Sequence, residues 1–369
     1  MKIQTRYFRI VSICFMLLSF MSCNTELSKI YGAFIINEQP IGGSIGYKNI
    51  IDKDNCQYIV RNAKELETAL NKVRNGEYIY IDDHASINML NLQKIQINKS
   101  ITLCSGRGHN GSEGAILYTN MEQTDLFIIN VSNVRISGLR IKGPDTLVRY
   151  EEMTALNNAG KYYDKPISRA ILTNDMGITT ENLEIDNCEI WGWSHAAIFL
   201  REGAMNSKIH HNFIHHNQRH GLGYGICLDA SSATIHSNKF DYNRHDINGT
   251  GRLGTAYEAY NNIILPNGTN HSFDMHGGGD RNDGTSIAGD YVNIHHNTFY
   301  STEVPAFFLR GTPQNYAKIT NNLFYHSGKE KTVLPLRSYS NPQKVKIKNN
   351  KYTENRYQLD SLSISRINW

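Results

Sequence analysis

Three features of this 369-residue chain predict its fold: a repeat of about 25 residues centred on asparagine, short alternating strands around each asparagine, and an amphipathic helix ahead of the repeats. The predicted fold is all-β, a single-stranded right-handed parallel β-helix with an N-terminal capping helix. We assign the β-helix to residues 56–355. A signal peptide at 1–22 and a linker at 23–55 precede it, and a C-terminal tail at 356–369 follows.

Seven copies of the repeat place an asparagine between two short strands, as in Ile209-His-His-Asn212-Phe-Ile214. Successive central asparagines are 25, 26, 24, 35, 25 and 28 residues apart, and they are Asn187, Asn212, Asn238, Asn262, Asn297, Asn322 and Asn350. A weaker copy at 134–141 has Gly138 in this position. Asparagine tolerates the left-handed conformation of a bend, and its amide bonds to nearby backbone. Stacked coils therefore predict a ladder in which each amide donates to the next.

The apolar residues of the strands form one continuous core when neighbouring coils stack, because a single coil cannot bury its own apolar side chains. The repeats lack a leucine pattern and a 3.6-residue period, so leucine-rich and helical repeats are excluded. The open N-terminal end of such a solenoid needs a cover. Residues 63–73 supply one, because Leu66, Leu70 and Val73 have the spacing of an amphipathic helix. Gly76 follows, and Tyr78–Ile81 is predicted as a strand.

This N-terminal stretch resembles the cap of pectate-lyase-like β-helices, especially those of the chondroitinase B and alginate lyase type. The resemblance covers most of the mature chain and implies its scaffold. The catalytic lysine–arginine pattern of those lyases is not found here, so the resemblance does not carry their reaction to this chain.

The N-terminus has the features of an export signal. Lys2, Arg6 and Arg9 precede an apolar run at 10–20, which is too short for a membrane span of about 20 residues. The residues before Cys23 resemble a bacterial lipobox with Phe20 in place of the usual leucine-type residue. The resemblance implies that Cys23 is lipidated and that the protein is anchored in a bacterial outer membrane. Ordinary cleavage beside an incidental cysteine is the alternative.

The composition and net charge limit the classes of partner that the chain is expected to bind. With 40% apolar and 20% charged residues the chain is globular, and a net charge of +4 without a Lys/Arg run argues against nucleic acid. The cysteines after Cys23 have no metal-type spacing, and we expect buried free thiols rather than disulfides. We expect a monomer, with the lipid anchor as its sole membrane contact.

Four histidines recur at the spacing of the coils. His195, His220, His245 and His271 are 25, 25 and 26 residues apart, so we expect them to stack on consecutive coils. Arg219 and Arg244 directly precede two of them. A row of His and Arg on a rigid rod suits an extended anionic chain, and in the resembling lyases the corresponding face forms the substrate groove. Stacked like residues also occur as simple packing. The chain's other histidines, such as His210 and His295, are assigned to surface or structure.

The fourth of these coils carries the densest group of polar residues. Strand alternation places Phe273 and Met275 inward, and Ser272, Asp274 and His276 outward. A glycine-rich insertion with Asp280, Arg281 and Asp283 follows and is a candidate site loop. Asp246 and Tyr224 lie on preceding coils, Arg310 and Arg337 extend the same face, and an insertion at about 143–168 interrupts the early coils.

These residues fit a polysaccharide lyase acting on a uronate-containing glycan. β-Elimination needs a cation for the carboxylate, a base for the C5 proton and an acid at the leaving oxygen. We expect Arg219, Arg244 or Arg281 to neutralise the carboxylate. We expect His245 or His271 to be the base, and Tyr224 or another histidine to be the acid. The candidate catalytic residues are His220, His245, His271, Tyr224, Asp274 and His276. The candidate substrate-binding residues are His195, Arg219, Arg244, Asp246, Arg281 and Arg310.

Three alternatives remain open from the sequence. A glycoside hydrolase would use Asp246 and Asp274 as its carboxyl pair, and a non-catalytic β-helix would bind glycan at the cell surface. A metal site would use His271, Asp274 and His276. If the ion is calcium, Asp280 and Asp283 are better placed, because calcium prefers oxygen ligands.

Overall fold

The computed structural model describes residues 31–353, apart from 93, 147–149, 162–163, 175, 302, 327–329 and 336–340. Cys23, the signal peptide, Arg337 and the tail predicted at 356–369 lie outside the described residues. The predicted right-handed parallel β-helix is confirmed: in the described part of the chain three long sheets extend from Tyr58 to Tyr352, and all their strand pairs are parallel.

The first sheet consists of Tyr58–Val60, Tyr78–Ile81, Thr102–Cys104, Arg135–Ser137, Glu184–Asp186, Ser207–His210, Ser232–His236, Ala256–Tyr260, Tyr291–His295, Tyr316–Thr320 and Val345–Lys348. The second consists of Ser86–Asn88, Ile116–Tyr118, Arg140–Lys142, Glu189–Trp191, Phe213–Asn217, Lys239–Asn243, Ile263–Ile264, Thr298–Phe299, Leu323–Phe324 and Lys351–Tyr352. The third consists of Ile95–Ile97, Thr124–Ile129, Ser168–Thr173, Ala196–Leu200, Tyr224–Leu228, His245–Gly249, Phe273–Met275 and Phe307–Leu309. A small extra sheet pairs Thr180–Glu181 with Ala204–Met205.

The core is a set of apolar columns that follow the solenoid axis. In the first sheet Ile185 pairs with Ile209 and Ile209 with Ile235, and all three are fully buried. In the third sheet Ile247 pairs with Phe273 in the same way. Neighbouring coils are about 4.8 Å apart, so each column excludes water continuously and every coil depends on the next for its burial.

The predicted capping helix is present as α1, Ala63–Lys72. Its N-cap Asn62 accepts a hydrogen bond from the backbone N–H of Glu65 (3.0 Å), which satisfies a free donor of the first turn. Leu66 and Val73 are buried in the core cluster and close its first coil. Three further α-helices lie in loops: α2, Tyr150–Asn158; α3, Gly278–Arg281; and α4, Glu330–Val333. Short 3-10 turns cover Lys53–Asn55, His109–Gly111 and Pro342–Lys344.

The predicted asparagine ladder forms at the corner between the first and second sheets. The side-chain Nδ2 of each ladder asparagine donates to Oδ1 of the next at 2.9–3.1 Å, through Asn212, Asn238, Asn262, Asn297, Asn322 and Asn350. Each Nδ2 also donates to a carbonyl of the preceding coil, as Asn262 does to Ile235 (2.9 Å). The ladder thereby satisfies buried backbone groups that the corner removes from the sheets.

The predicted position of the bend within the repeat is wrong, and so is the placement of two residues in the ladder. The left-handed residue of each bend precedes the ladder asparagine: His211, Ser237 and Asn261 have φ of 54°, 53° and 52°. Asn187 and Gly138 have left-handed φ as well, so they align with His211 rather than with Asn212. Cys188 therefore takes the ladder position in its coil, and its N–H donates to Asn212 Oδ1 (2.8 Å).

Residues 31–50 lie along this corner, from the late coils towards the early ones. The N–H of Gly32 donates to the Asn321 carbonyl, and that of Gly42 to the Ser237 carbonyl (both 2.9 Å). Gly43 has a φ of +71°, and a Cβ there would lie 2.2 Å from the carbonyl oxygen of His211. The close approach requires glycine, so this segment, assigned from the sequence to a linker, is fitted to the solenoid surface.

The His-His pairs of the repeat form hydrogen-bonded chains with a glutamate on the neighbouring coil. His210 Nε2 lies 3.2 Å from Glu184, and its Nδ1 lies 2.9 Å from Nδ1 of His211. The same chain recurs as Glu189–His215–His216 and Glu258–His295–His296. These side chains are structural, because they satisfy one another at the corners and stack along the first and second sheets.

The lowered pKa of the His211 imidazole predicts that the folded protein loses stability in acid. Burial, and then the neighbouring His210, lower the pKa of His211 to about 4 against about 6.5 in an unfolded chain. The unfolded chain therefore binds this proton more readily than the folded protein does. The stability that the neutral imidazole contributes is complete above about pH 6.5 and is lost as the pH falls towards 4. We expect His211→Asn to reduce the loss of stability between pH 7 and pH 4 in urea denaturation. Asparagine suits the position because Asn187, Asn261 and Asn321 hold the same left-handed bend.

The control is His109→Asn at an exposed turn, which should leave the pH dependence of wild type unchanged. Parallel curves for His211→Asn and wild type across this range would show that His211 does not carry the effect.

Candidate functional site

The candidate site lies on the outer face of the third sheet, where polar side chains of successive coils meet. Strand register pairs Ala196 with Tyr224 and Tyr224 with His245. The ring of His245 lies 4.0 Å from that of His271 and stacks on Tyr224 at 5.7 Å. Three residues further along the strands, Asn248 pairs with Asp274.

The predicted four-histidine ladder is therefore wrong in its first half. Asn217 pairs with Asn243, but Tyr224 comes seven positions after Asn217, whereas His245 comes two positions after Asn243. The five extra residues form a loop that removes His220 from the row, and Tyr224 takes its place. His195 directly precedes the register position of Ala196, and its ring contacts Phe199 and Tyr224. The four histidines are almost equally spaced in the sequence, but the loops between the second and third sheets differ in length, so equal spacing does not produce stacking.

Asp274 is the centre of the group. Its Oδ2 lies 2.9 Å from His276 Nε2, 3.0 Å from His271 Nε2 and 2.9 Å from Arg310 Nη2, and Asn248 Nδ2 is 3.3 Å away. Its Oδ1 accepts from Arg310 Nε (3.1 Å). The predicted outward direction of Asp274 and His276 is confirmed by these contacts, yet the carboxylate itself is fully buried beneath its partners.

Electrostatics keep this carboxylate ionised. Burial alone would raise the pKa of Asp274, but the two histidines around it hold that pKa well below its usual range. Burial lowers the pKa of His271, an effect that Asp274 opposes and that Arg310 and Arg244 reinforce. Asp274 is thus a fixed negative charge that orients the groups around it.

His245 cannot contact a substrate, which corrects its assignment as a catalytic base. Its side chain is fully buried. Nδ1 lies within hydrogen-bonding distance of the His271 carbonyl, so it carries the proton, while Nε2 has no hydrogen-bond partner within the described chain. Burial holds the pKa of His245 well below its usual value, so the imidazole is neutral.

The accessible members of the group are different residues. The side chains of His276 and Arg310 are 25% and 14% exposed, whereas Tyr224 lies at the edge of the group and is mostly buried. Arg244 is half-buried over the ring of Tyr224, with its Cζ 5.9 Å from the ring centroid. Nε2 of His276 is directed at Asp274, which leaves Nδ1 as the nitrogen free to meet a substrate.

The insertion after residue 143 occupies the early end of this face. Arg219 is buried, and its guanidinium donates to the carbonyls of Lys165 and Pro166. His220 Nδ1 lies 3.5 Å from the hydroxyl of Thr154 in α2. Arg219 therefore holds the insertion to the solenoid, which corrects the role in substrate binding expected of it, while His220 lies beside α2 and outside the row.

Asp246 does not form a carboxyl pair with Asp274. It accepts a hydrogen bond from Asn243 Nδ2 (2.9 Å), at the end of a second asparagine ladder in which Asn217 donates to Asn243 (2.8 Å). Burial raises the pKa of Asp246 to about 8. The N–H groups of Asp246 and Ile247 both donate to the Ser272 carbonyl. This bulge turns Asp246 towards the corner. Ser272, expected to point outward, is buried with its hydroxyl 3.2 Å from that of Ser301.

The glycine-rich loop binds itself and its neighbours. Arg281 donates to the carbonyls of Thr250 and Ile287 and pairs with Asp283 (2.8 Å), which corrects its assignment to the substrate. Asp283 also accepts from Thr285, while Asp280 accepts from Arg310 and from the N–H of Gly277. Protein donors thus occupy both carboxylates proposed for calcium.

A different trio has metal-ligand spacing. One donor atom each of His245, His271 and Asp274 lie within 4.8 Å of one another, and no other trio within the described residues meets this criterion. The sequence pointed to His271 and Asp274 through their spacing of three residues but paired them with His276. The register between His245 and His271 was the signal for the third member.

A cleft of substantial size lies elsewhere. It has a volume of about 540 Å³ and separates the N-terminal segment from the second sheet, where Arg107, Glu189, Phe213 and Lys239 line it. Of the helices in the described ranges, none is long and apolar enough to cross a membrane.

Comparisons with known proteins identify the fold. A family model described as right handed beta helix region matches residues 172–329. An alginate lyase from Paenibacillus sp. str. FPU-7 has a similar structure, with a TM-score of 0.55 at 14% identity, over 80% of this chain and 97% of that chain. No curated protein matches the chain in sequence.

A second solved structure, the PL6 family alginate lyase AlyGC, is 13% identical with a TM-score of 0.37. The match covers 83% of this chain but 41% of AlyGC, so the chain spans less than half of that protein. At 14% identity, the likeness to the Paenibacillus enzyme shows the parallel β-helix fold alone.

Proposed function

We propose that this protein is a polysaccharide lyase that cleaves a uronate-containing glycan by β-elimination. The observation that carries the proposal is the Asp274–His276 pair: a buried, ionised carboxylate holds a quarter-exposed imidazole at 2.9 Å. A carboxylate that orients a histidine and stabilises its protonated form is a recurrent arrangement for a general base. Cationic and phenolic side chains lie on the adjoining coils.

His276 is the proposed base. With its Nε2 proton donated to Asp274, its Nδ1 lone pair takes the C5 proton of the uronate. The electron pair released at C5 forms the C4=C5 double bond, and the C4–O bond to the neighbouring sugar breaks. His271 shares the same carboxylate, but its Nε2 also lies 2.9 Å from Nη2 of Arg310, so the more exposed His276 is better placed to be the base.

Arg244 is the proposed partner of the uronate carboxylate. It forms no ion pair within the described residues, whereas Arg310 is already bound to Asp274 and Asp280. A guanidinium binds a carboxylate with two parallel hydrogen bonds, and neutralising that charge makes the C5 proton easier to remove. Its half-buried position strengthens the attraction relative to bulk water.

Tyr224 is the proposed acid. Its phenol, at 3.3 Å from the Gly221 carbonyl, lies on the coil before Arg244 and stacks on the neutral His245. A protonated phenol can give its proton to the departing C4 oxygen, which balances the proton that His276 removes. The reaction consumes no water and leaves one unsaturated uronate end and one new reducing end.

Product analysis tests the proposal. The mature protein is incubated with a panel of acidic polysaccharides, which includes alginate because the similar Paenibacillus structure is an alginate lyase. We expect new reducing ends together with the ultraviolet absorbance of unsaturated uronate. Reducing ends without that absorbance would mean hydrolysis, and retention of glycan without cleavage would mean a binding protein. Either result would refute the lyase.

Replacing His276 should abolish most of this activity. We expect His276→Ala to lower kcat by about 10²–10⁴-fold with a smaller change in KM, because a general base acts in the transition state. His109→Ala, at an exposed turn, is the matched control and should retain wild-type rates. Full activity of His276→Ala would remove His276 from the mechanism.

A further inference from the structure

The buried part of this group has features that β-elimination does not use. His245 is fully buried with Nδ1 bonded to the His271 carbonyl, and its Nε2 is without a partner in the described chain. A histidine nitrogen left unpaired in the interior costs free energy that a ligand would recover. In metal sites, a ligating histidine almost always donates its other N–H to a carbonyl or carboxylate. His245 has that arrangement already.

The contacts of His271 conflict without a further cation. Its Nε2 lies 3.0 Å from Asp274 Oδ2 and 2.9 Å from Arg310 Nη2. A proton on Nε2 suits the carboxylate but repels the guanidinium N–H. A lone pair suits the guanidinium but repels the carboxylate oxygen. A metal ion satisfies both, because it accepts the nitrogen lone pair and the carboxylate together.

Asp274 Oδ2 is also crowded. Four nitrogen atoms lie within 3.3 Å of it, from His271, His276, Arg310 and Asn248. A carboxylate oxygen offers about two lone-pair sites, so these contacts cannot all be good hydrogen bonds. The guanidinium of Arg310 thus occupies the edge between His271 and Asp274 with imperfect geometry.

We propose that His245, His271 and Asp274 form a binding site for a divalent first-row transition metal, with zinc as the best match. Two imidazoles and one carboxylate are the ligands such ions prefer, whereas calcium prefers oxygen. The three donor atoms lie within 4.8 Å of one another. A point no more than about 2.8 Å from every donor therefore exists, and contraction by less than about 1 Å reaches zinc bond lengths of about 2.0–2.2 Å.

Arg310 competes with the metal for the same edge. When an ion binds, its Nη2 must leave Oδ2 and His271, but Nε can keep Oδ1 of Asp274 at 3.1 Å and Nη1 can keep Asp280 at 3.3 Å. The guanidinium then lies beside the ion instead of between its ligands. This inference does not rest on the lyase proposal, since it concerns binding in the absence of glycan.

Zinc titration of the chelator-treated mature protein tests the site. We expect one equivalent of Zn²⁺ by calorimetry, and a Co²⁺ visible spectrum typical of mixed nitrogen and oxygen ligands. His245→Asn should abolish both. The asparagine amide replaces the Nδ1–H donor to the His271 carbonyl and removes the Nε2 ligand. Ca²⁺ should give no heat that depends on His245.

His295→Asn is the matched control, because the Glu258–His295–His296 chain is an alternative cluster of histidines and a carboxylate. It should bind Zn²⁺ as wild type does. Arg310→Gln should bind Zn²⁺ more tightly, since the competing charge is gone. Absence of stoichiometric binding, or binding that His245→Asn leaves unchanged, would overturn the site. If His245→Asn does not fold, unchanged zinc affinity in Arg310→Gln would overturn it instead.

Discussion

Replacing Asp274 with alanine is expected to lower the free energy of unfolding by about 3–5 kcal/mol, the cost of breaking a buried charge network by removing one partner. The fully buried carboxylate is the counter-charge of Arg310 and the shared acceptor of His271 and His276. Without it, the guanidinium loses its buried counter-charge and keeps the longer ion pair to Asp280, and the histidines lose the acceptor that orients them. Urea denaturation at neutral pH measures the change.

The same substitution should also abolish glycan cleavage, because His276 loses its fixed orientation. Asp274→Asn preserves the size of the side chain and separates packing from charge: we expect a smaller cavity effect but still a large loss of stability. Asp229→Ala is the control, since that carboxylate is a partly exposed partner of Arg252 and Thr250 on the same face. A loss below about 1 kcal/mol for Asp274→Ala, typical of a surface ion pair, would contradict the buried network.

Asn262→Ala is expected to cost about 3–5 kcal/mol, because several buried groups lose their partner at once and each costs about 1–3 kcal/mol without full additivity. Asn262 Oδ1 accepts from both the backbone N–H and the side chain of Asn238. Its Nδ2 donates to Asn297 and to the Ile235 carbonyl. The substitution interrupts the ladder in its middle, and urea denaturation again measures the loss.

Asn350→Ala is the matched control for the ladder. Asn350 accepts from Asn322 and donates to the Ile319 carbonyl, but within the described residues it passes no bond to a further asparagine, and it is only partly buried. We expect a clearly smaller loss of stability there. Equal losses at Asn262 and Asn350 would mean that each asparagine acts alone and that the ladder adds nothing through its continuity.

The fold was predictable from the sequence because each coil of the β-helix corresponds to one copy of a sequence repeat. Asn212 to Asn350 recur with the interior isoleucines at constant offsets, so sequence spacing translates directly into stacking. The one-residue error at Asn187 has a physical cause: asparagine suits both the left-handed bend and the ladder position, so the residue type alone does not distinguish them. The pairing of Ile185 with Ile209 distinguishes the two positions, because it places Asn187 beside His211.

The site was predictable only in part, because it depends on loops rather than on strands. Asp274 and His276 follow from strand alternation beside Phe273 and Met275. His220 was misplaced because the loop before Tyr224 is five residues longer than its counterpart before His245. Asp246 was misplaced because a bulge, which has no mark in the sequence, reverses its direction. The burial of His245 depends on its neighbours on three coils, which spacing does not reveal.

The most direct test of the central claim is a crystal structure of the inactive His276→Ala variant with an acidic oligosaccharide. We predict density along the outer face of the third sheet, with a uronate carboxylate on Arg244 and the glycosidic oxygen near Tyr224. Oligosaccharide bound instead in the cleft between the N-terminal segment and the second sheet, beside Lys239 and Phe213, would contradict the assignment of the site.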